Sequence, residues 1–170
     1  MKLTFITSTL LCASALFGQN PLTTETKATN DTVKTNIIRA AEKMPEENYS
    51  FKPTPDVRSF GQLIGHVANA QYLFCSAVKG EKPNAPDAEK SLTSKADLVA
   101  ALKAAFGYCD AAYEGLTDAK AMENVKLFGR DRSRLGILNF NTAHNNEHYG
   151  NIVTYMRLKG LIPPSSEPRK

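Results

Sequence analysis

The stretch LGILNFNTAHNNEHYGNIVTYMRLKG, residues 135–160, predicts a long helix and a site upon it. It contains two of the three histidines of the chain, His144 and His148. Residues four positions apart project one above the other on an α-helix, because each residue turns the helix by about 100°. On a helical wheel both histidines fall at the centre of the apolar face. Ser133 is the predicted start of this helix, and Gly160 is its C-terminal stop.

Three further segments show helical periodicity. The first runs from about Thr24 to Met44. The second opens at Ser59 in a capping-box pattern and closes at Gly80. The third begins near residues 93–94 and carries apolar residues at alternating steps of four and three, a spacing that suits near-antiparallel packing in a bundle.

The connecting segments 45–58, 81–92 and 117–132 are rich in Pro, Gly, Asn, Asp or charge. None of them alternates as a strand over more than about four residues, so the sequence predicts no substantial sheet. We therefore expect an all-α fold, a four-helix bundle with long loops at one end that act as lids.

Length and composition indicate a single globular domain. The chain has 170 residues, of which 42% are hydrophobic and 22% are charged, near the averages for soluble proteins. The net charge is +4, which is too small to imply a nucleic-acid partner.

Residues 1–19 have the features of a secretory signal peptide. Lys2 is the only charge, an apolar stretch runs from Leu3 to Phe17, and small residues precede Gln19. We expect an exported protein, periplasmic or secreted, whose domain spans residues 20–170. A lipobox would need Gly or Ala where Leu11 stands before the cysteine, so no stable membrane anchor is expected.

Two cysteines remain after removal of that segment, Cys75 and Cys109. Export would allow them to form a disulfide. Both also fall on or beside apolar helix faces, where free cysteine behaves as a small hydrophobic residue. The pattern leaves both states open.

The third histidine, His66, lies on the second predicted helix among small and apolar neighbours. A buried imidazole without a partner costs roughly 1–3 kcal/mol, and a bound metal removes that cost. Hydrogen bonds to ordinary neighbours would remove it too. All three histidines lie on interior-facing helical surfaces, so a shared metal site and three satisfied core histidines both remain open.

Two stretches carry a family resemblance: FKPTPDVRSFGQLIGHVANAQ, and LFGRDRSRLGILNFNTAHNNEHYGNIVTYMRLKGLIPPS. They share a Lys-Pro-Thr turn, a Ser-Phe helix start leading to His66, then H-x-x-x-H-Y-G, Tyr-x-Arg-x-x-Gly and Pro-Pro. Over nearly the whole mature chain this resembles the DinB-like (damage-inducible protein B) metalloprotein superfamily. The resemblance implies a four-helix bundle in which His66, His144 and His148 hold one divalent metal ion, zinc or nickel.

The same resemblance bears on function. Many members form homodimers, and several known enzymes of the group are thiol transferases or thiol-dependent isomerases. Three imidazoles leave a coordination position open for another molecule. We expect a metal-dependent enzyme, hydrolase-like or transferase-like, that acts on a small molecule which the sequence does not identify. The alternative is a non-catalytic metal-binding or structural protein of the cell envelope.

The pattern H-x-x-E-H, residues 144–148, is also found in one class of zinc peptidase. Such an enzyme needs a further ligand, usually a Glu well downstream. The only acidic residue after His148 is Glu167, in the tail. This disfavours a peptidase.

Further residues are candidates for the site. Glu147 lies at the border of the apolar face, as a candidate catalytic base or as a solvated carboxylate. Asn141, Tyr72 and Tyr155 are candidate substrate contacts, or core residues.

Overall fold

A computed structural model describes residues 20–168 of the chain. The predicted signal peptide, residues 1–19, lies outside the described residues and stays a prediction.

The described part of the chain is mostly helical, which confirms the all-α class. The long helices all lie where the sequence predicts them, with short helices, two 3₁₀ turns and one hairpin between them. In chain order the elements are α1 (Pro21–Lys43), a 3₁₀ turn (Glu46–Asn48), α2 (Phe60–Lys79), α3 (Ala88–Ser91), α4 (Lys95–Tyr113), α5 (Asp118–Ala121), β1 (Asn124–Leu127), β2 (Arg130–Ser133), α6 (Arg134–Leu158) and a second 3₁₀ turn (Pro164–Ser166).

Local capping interactions fix where the long helices begin and end. At the start of α2 the Ser59 hydroxyl accepts a hydrogen bond from the Gln62 backbone N–H at 3.2 Å, and the Gln62 side-chain oxygen accepts one from the Ser59 N–H at 2.9 Å. This is the predicted capping box. Ser133 caps α6 through the Gly136 N–H at 3.0 Å. Gly80 ends α2 with φ 74°, a left-handed conformation that glycine adopts without strain.

The order of the helices in space differs from a simple up-and-down bundle. Helix α4 packs against both α2 and α1. A disulfide joins Cys75, late in α2, to Cys109, late in α4. Near the start of both helices, a Cβ on Gly61 would lie 3.2 Å from the Leu98 side chain. Helices α2 and α4 are therefore parallel, which differs from the expected antiparallel packing. Against α1, helix α4 is antiparallel, because Lys34 pairs with Asp110 and Glu42 pairs with Lys103.

Helix α6 completes the bundle between α1 and α2. Its early residue Asn141 bonds to Gln71, late in α2, and its late residue Tyr155 bonds to Arg58, just before α2. Helix α6 is therefore antiparallel to α2. The bond from Asn145 to Asn30 places α6 along α1.

The parallel arrangement makes the connection from α2 to α4, residues 80–94, a crossover segment that returns along the bundle and contains α3. It also separates the other two loops. The loop before α2 lies at the C-terminal end of α1, whereas residues 114–133 lie near the N-terminal end of α1, where Asp118 accepts the Thr23 N–H at 3.0 Å. The expectation that these loops gather at one end is not met.

A small hairpin lies in the last of the three connecting segments, where the sequence predicts no substantial sheet. Strands β1 and β2 form an antiparallel hairpin in which Asn124 faces Ser133 and Leu127 faces Arg130. The turn is made by Phe128 and Gly129, both with positive φ, 51° and 75°. Two residues of this conformation match the twist of a hairpin, so the turn favours pairing of strands too short to show an alternating pattern.

The described helices pack around an apolar core that continues along the bundle. The Cys75–Cys109 disulfide lies in it, and both residues are fully buried, with Cα atoms 5.2 Å apart. Within residues 20–168, no helix combines the length and the apolar character that a membrane span requires.

Candidate metal centre

Helices α2 and α6 bring the three histidines together from distant parts of the sequence. His66 lies in the first half of α2, and His144 and His148 lie on successive turns of α6, which runs antiparallel to it. His148 is 7% exposed, and the His66 side chain is 25% exposed. The site is therefore a partly buried cluster at the seam between two helices.

The three rings point their Nε2 atoms at one another. The His144 Nε2 lies 3.2 Å from the His66 Nε2 and 3.0 Å from the His148 Nε2. One ring nitrogen of each residue lies within 4.8 Å of the corresponding atoms of the other two. The structure thus brings the three predicted residues together, and the cluster could hold one metal ion.

Hydrogen bonding alone does not account well for this arrangement. A neutral imidazole has one N–H and one lone pair. The His66 Nδ1 lies 3.0 Å from a Glu89 carboxylate oxygen. An ionised carboxylate accepts and does not donate, so this contact requires a neutral His66 ring to carry its proton on Nδ1 and its lone pair on Nε2. If His144 carries its proton on Nε2, that N–H can be directed well at one neighbour only, and the other contact has no hydrogen bond. If the proton is on Nδ1 instead, the Nε2 lone pairs of His144 and His66 face each other. A shared cation would satisfy all three.

The electrostatics of the cluster disfavour protonating the rings instead. Burial lowers the pKa of His144 to about 4, and the nearby His66 and Arg58 add to the effect while Glu147 opposes it. Burial likewise lowers the pKa of His148 to about 4, with further contributions from His144 and His66. The lone pairs on these rings therefore remain available near neutral pH, as metal ligands require.

Sequence reasoning missed two residues beside the cluster, Glu89 and Arg58. The Arg58 Nε donates to one Glu89 oxygen at 2.8 Å while His66 donates to the other at 3.0 Å. Burial would raise the pKa of Glu89, but the hydrogen bonds from Arg58 and His66 outweigh it and hold that pKa below its usual range. Glu89 belongs to α3, which the sequence presents only as part of a polar loop.

One sequence feature could have indicated this contact. Gly65, next to His66 in the middle of α2, has its α-carbon so close to α3 that a Cβ would lie 2.7 Å from the Glu89 backbone. A glycine inside a helix usually marks a close approach of another backbone. Here it lets α3 lie directly against α2.

A cavity of about 650 Å³ opens beside the cluster. Residues 52–58 line one side of it, and His148, Glu89 and Tyr155 line another. The Tyr155 hydroxyl donates to the Arg58 carbonyl at 2.7 Å, which ties α6 to the loop before α2. Tyr155 is thus a cavity residue, and its role as a substrate contact stays a prediction.

The other candidates lie elsewhere. Asn141 is fully buried and donates to the Gln71 side-chain oxygen at 2.9 Å. The Tyr72 ring packs on Tyr108, with centroids 5.0 Å apart. Glu147 is exposed on α6, where its charge acts on His144. The structure brings none of these three side chains to the 650 Å³ cavity.

The family of the chain follows from its match to a family model. The family model of the DinB superfamily matches residues 30–152, which include all three histidines. The chain belongs to the DinB superfamily. The uncharacterized protein YjoA of Bacillus subtilis (strain 168) is 28% identical over 123 residues, which are 71% of this chain and 79% of YjoA.

Several solved structures share the fold, and two of them are of DinB-like proteins. A DinB-like protein from Bacillus cereus ATCC 10987 superposes with a TM-score of 0.71 at 18% identity, covering 84% of this chain and 93% of its own. The structure of Bacillus subtilis YjoA gives a TM-score of 0.65 at 24% identity, covering 89% of this chain and 100% of its own. A conserved protein from Enterococcus faecalis gives 0.66 at 17% identity, covering 80% and 95%.

Proposed function

We propose that this DinB-superfamily protein binds one divalent metal ion, zinc or nickel, through the Nε2 atoms of His66, His144 and His148, and uses it to act on a small molecule. The observation that carries the proposal is the convergence of the three Nε2 atoms, at 3.0 and 3.2 Å from the central one, beside a cavity of about 650 Å³. Such a volume suits a small-molecule ligand.

The donor set fits this class of ion. Three neutral imidazoles suit zinc and nickel, and affinity alone does not choose between them. When bound, the ion would supply a Lewis acid with a coordination position left open for a ligand. The chain's own residues supply the rest: residues 52–58 and Tyr155 wall the cavity next to His148, where a bound molecule would be held against the cluster.

Glu147 is the proposed general base. It lies between the two α6 ligands in the sequence, is exposed to solvent, and acts on His144 through its charge, which supports a proton-transfer role near the cluster. General bases contribute typically 10²- to 10⁴-fold to a rate. Glu147→Gln should therefore lower kcat by about that factor in any hydrolytic reaction found. Unchanged turnover in this variant would remove Glu147 from the mechanism.

Elemental analysis of protein purified without a His-tag tests the metal site. Wild-type protein should carry about one zinc or nickel ion per chain, and His66→Ala and His144→Ala should carry much less. Glu147→Gln is the matched control, because it alters a charge on the same helix without removing a ligand. Wild-type protein without stoichiometric metal, after purification from medium containing both ions, would overturn the proposal.

A screen of metal-loaded protein against esters, amides and thiol-conjugation substrates tests catalysis. Turnover that chelation abolishes and metal restores would support the enzyme. A non-catalytic, structural role is the second candidate, favoured by the position of the cluster across the seam of α2 and α6, which a bound ion would cross-link. That role predicts no turnover together with a large loss of stability on chelation.

Export is a further part of the proposal. The Cys75–Cys109 disulfide in the core supports it, because disulfides persist mainly in oxidising compartments such as the periplasm. Mass spectrometry of the protein from the extracellular or periplasmic fraction should show cleavage close to Gln19. A full-length mass in the cytosolic fraction alone would contradict export.

A further inference from the structure

The geometry points to Glu89 as the positioning residue of the metal site: held by Arg58, it fixes the proton and ring orientation of His66, so that metal affinity depends on the packing of the crossover segment against α2. This inference rests on the proposed metal site and names a residue that acts on it through a ligand.

The three histidine rings differ in the hydrogen-bond partner of their Nδ1 atoms. The His66 Nδ1 has a carboxylate partner at 3.0 Å, whereas the Nδ1 atoms of His144 and His148 are buried without a hydrogen-bond partner among residues 20–168. His66 is thus the one ring of the cluster whose tautomer an acidic side chain sets. With its proton on Nδ1, His66 presents the Nε2 lone pair to the other two rings.

The Glu89 carboxylate is itself held in place by hydrogen bonds to both of its oxygens. Its other oxygen accepts from the Arg58 Nε at 2.8 Å, so the carboxylate is held from both sides. Arg58 belongs to the loop before α2, and its backbone carbonyl accepts the Tyr155 hydroxyl of α6 at 2.7 Å. The loop, α3 and α6 are therefore linked around His66.

Helix α3 is held against α2 by hydrogen bonds and by a close backbone contact. Asn69, one turn after His66, donates to the Asp87 carboxylate at 2.7 Å and accepts from the Ala88 N–H at 2.9 Å. Gly65, on the same side of α2, leaves room for the Glu89 backbone. These contacts place Glu89 opposite the His66 ring, although 23 residues separate the two along the chain.

Glu89, which orients the ligand His66, therefore belongs to α3, whereas the three proposed ligands belong to α2 and α6. Carboxylates that accept from the second nitrogen of a ligating histidine fix its tautomer and raise its basicity, and their loss typically weakens metal binding 10- to 100-fold. Displacement of α3 should weaken binding in the same way, because it would move Glu89 away from the His66 ring.

The test compares Glu89→Ala and Glu89→Gln with wild-type protein. Zinc affinity is measured by competition with a chromophoric chelator, and the His66 tautomer is read in the metal-free protein from long-range ¹H–¹⁵N NMR spectra. The matched control is Glu81→Gln, a carboxylate of the same crossover segment that accepts from the Tyr108 hydroxyl instead.

Glu89→Ala should bind zinc about 10- to 100-fold more weakly, and its His66 should lose the uniform Nδ1–H tautomer. Glu89→Gln keeps an acceptor oxygen, so it should retain the His66 tautomer and part of the zinc affinity. If the alanine variant does not fold, the zinc affinity of Glu89→Gln still tests the inference. Glu81→Gln should behave as wild type.

Wild-type zinc affinity in both Glu89 variants, or an unchanged His66 tautomer in Glu89→Ala, would overturn the inference. These results differ from failure of the proposed function, in which the wild-type protein itself binds no zinc. In that case the tautomer measurement on metal-free protein still decides whether Glu89 orients His66.

Discussion

The Nε2 atoms of His66 and His144 lie 3.2 Å apart, although 78 residues separate them in the chain. This contact crosses from α2 to α6, and the His148 ring closes the cluster from the next turn of α6. An ion bound here would hold two helices together and would have no equivalent site in the unfolded chain. Metal binding at this cluster would therefore be linked to folding.

Removal of metal should lower the melting temperature. A ligand that binds only the native state stabilises it by about 3 kcal/mol when its free concentration is 100 times its Kd. We expect wild-type protein to melt at a lower temperature in EDTA, with recovery on addition of excess zinc, as followed by circular dichroism. His66→Ala should show a much smaller response. A wild-type melting temperature that neither EDTA nor zinc changes would contradict the linkage.

Stability of the metal-free protein should fall in mild acid. The pKa values of His144 and His148 are about 4 in the folded protein, against 6.5 for an unperturbed histidine. Between these values the unfolded chain binds more protons, so stability is full above about pH 6.5 and is lost as pH falls towards 4. Urea unfolding from pH 7 to 4 measures this. In the double variant His144→Gln and His148→Gln, the unfolding free energy should depend less steeply on pH. An equally steep dependence would contradict the assignment of the effect to these two histidines.

Gly65→Ala should destabilise the protein. The added Cβ would meet the Glu89 backbone at 2.7 Å and force α3 away from α2, and overpacking of this kind costs typically 1–3 kcal/mol. The matched control is Gly107→Ala in α4, where a Cβ meets nothing within 4 Å. There the better helix propensity of alanine should stabilise by about 0.5–1 kcal/mol. Urea unfolding of both variants measures whether the unfolding free energy falls in Gly65→Ala and rises in Gly107→Ala. Equal changes in the two variants would refute the packing argument.

Reduction of the Cys75–Cys109 disulfide should cost about 3–4 kcal/mol of unfolding free energy, because it releases a loop with a sequence separation of 34 residues. The expected result is a lower urea midpoint in the presence of reductant, and no effect of reductant on the variant Cys75→Ala with Cys109→Ala. Thiol titration of denatured protein, before and after reduction, counts the cysteines in the bond. Two free thiols in unreduced mature protein would contradict the pairing.

The parts of the fold that depend on neighbours in sequence were predictable. Ser59, Gly80 and Ser133 act within one turn of themselves, so the ends of α2 and α6 follow from the residues around them. The predicted first helix, Thr24 to Met44, differs from Pro21–Lys43 by a few residues. His144 and His148 share a face because of helical geometry alone.

The parts that depend on long-range packing were not. Nothing local distinguishes a helix parallel to α2 from an antiparallel one, so the direction of α4 was missed. The contact between Glu89 and His66 was missed for the same reason, because it depends on how the crossover segment returns along α2. The hairpin turn at Phe128 and Gly129 is local, but its strands are too short for an alternating pattern to appear.

The position of α6 between α1 and α2 has a consequence for biosynthesis. A nascent chain that lacks this last helix holds one imidazole of the three and leaves the facing sides of α1 and α2 uncovered. An N-terminal fragment would therefore offer an ion only one of the three proposed ligands, and the complete proposed site would form only after α6 has been synthesised. For a chain that crosses a membrane unfolded, the metal would be acquired on the far side.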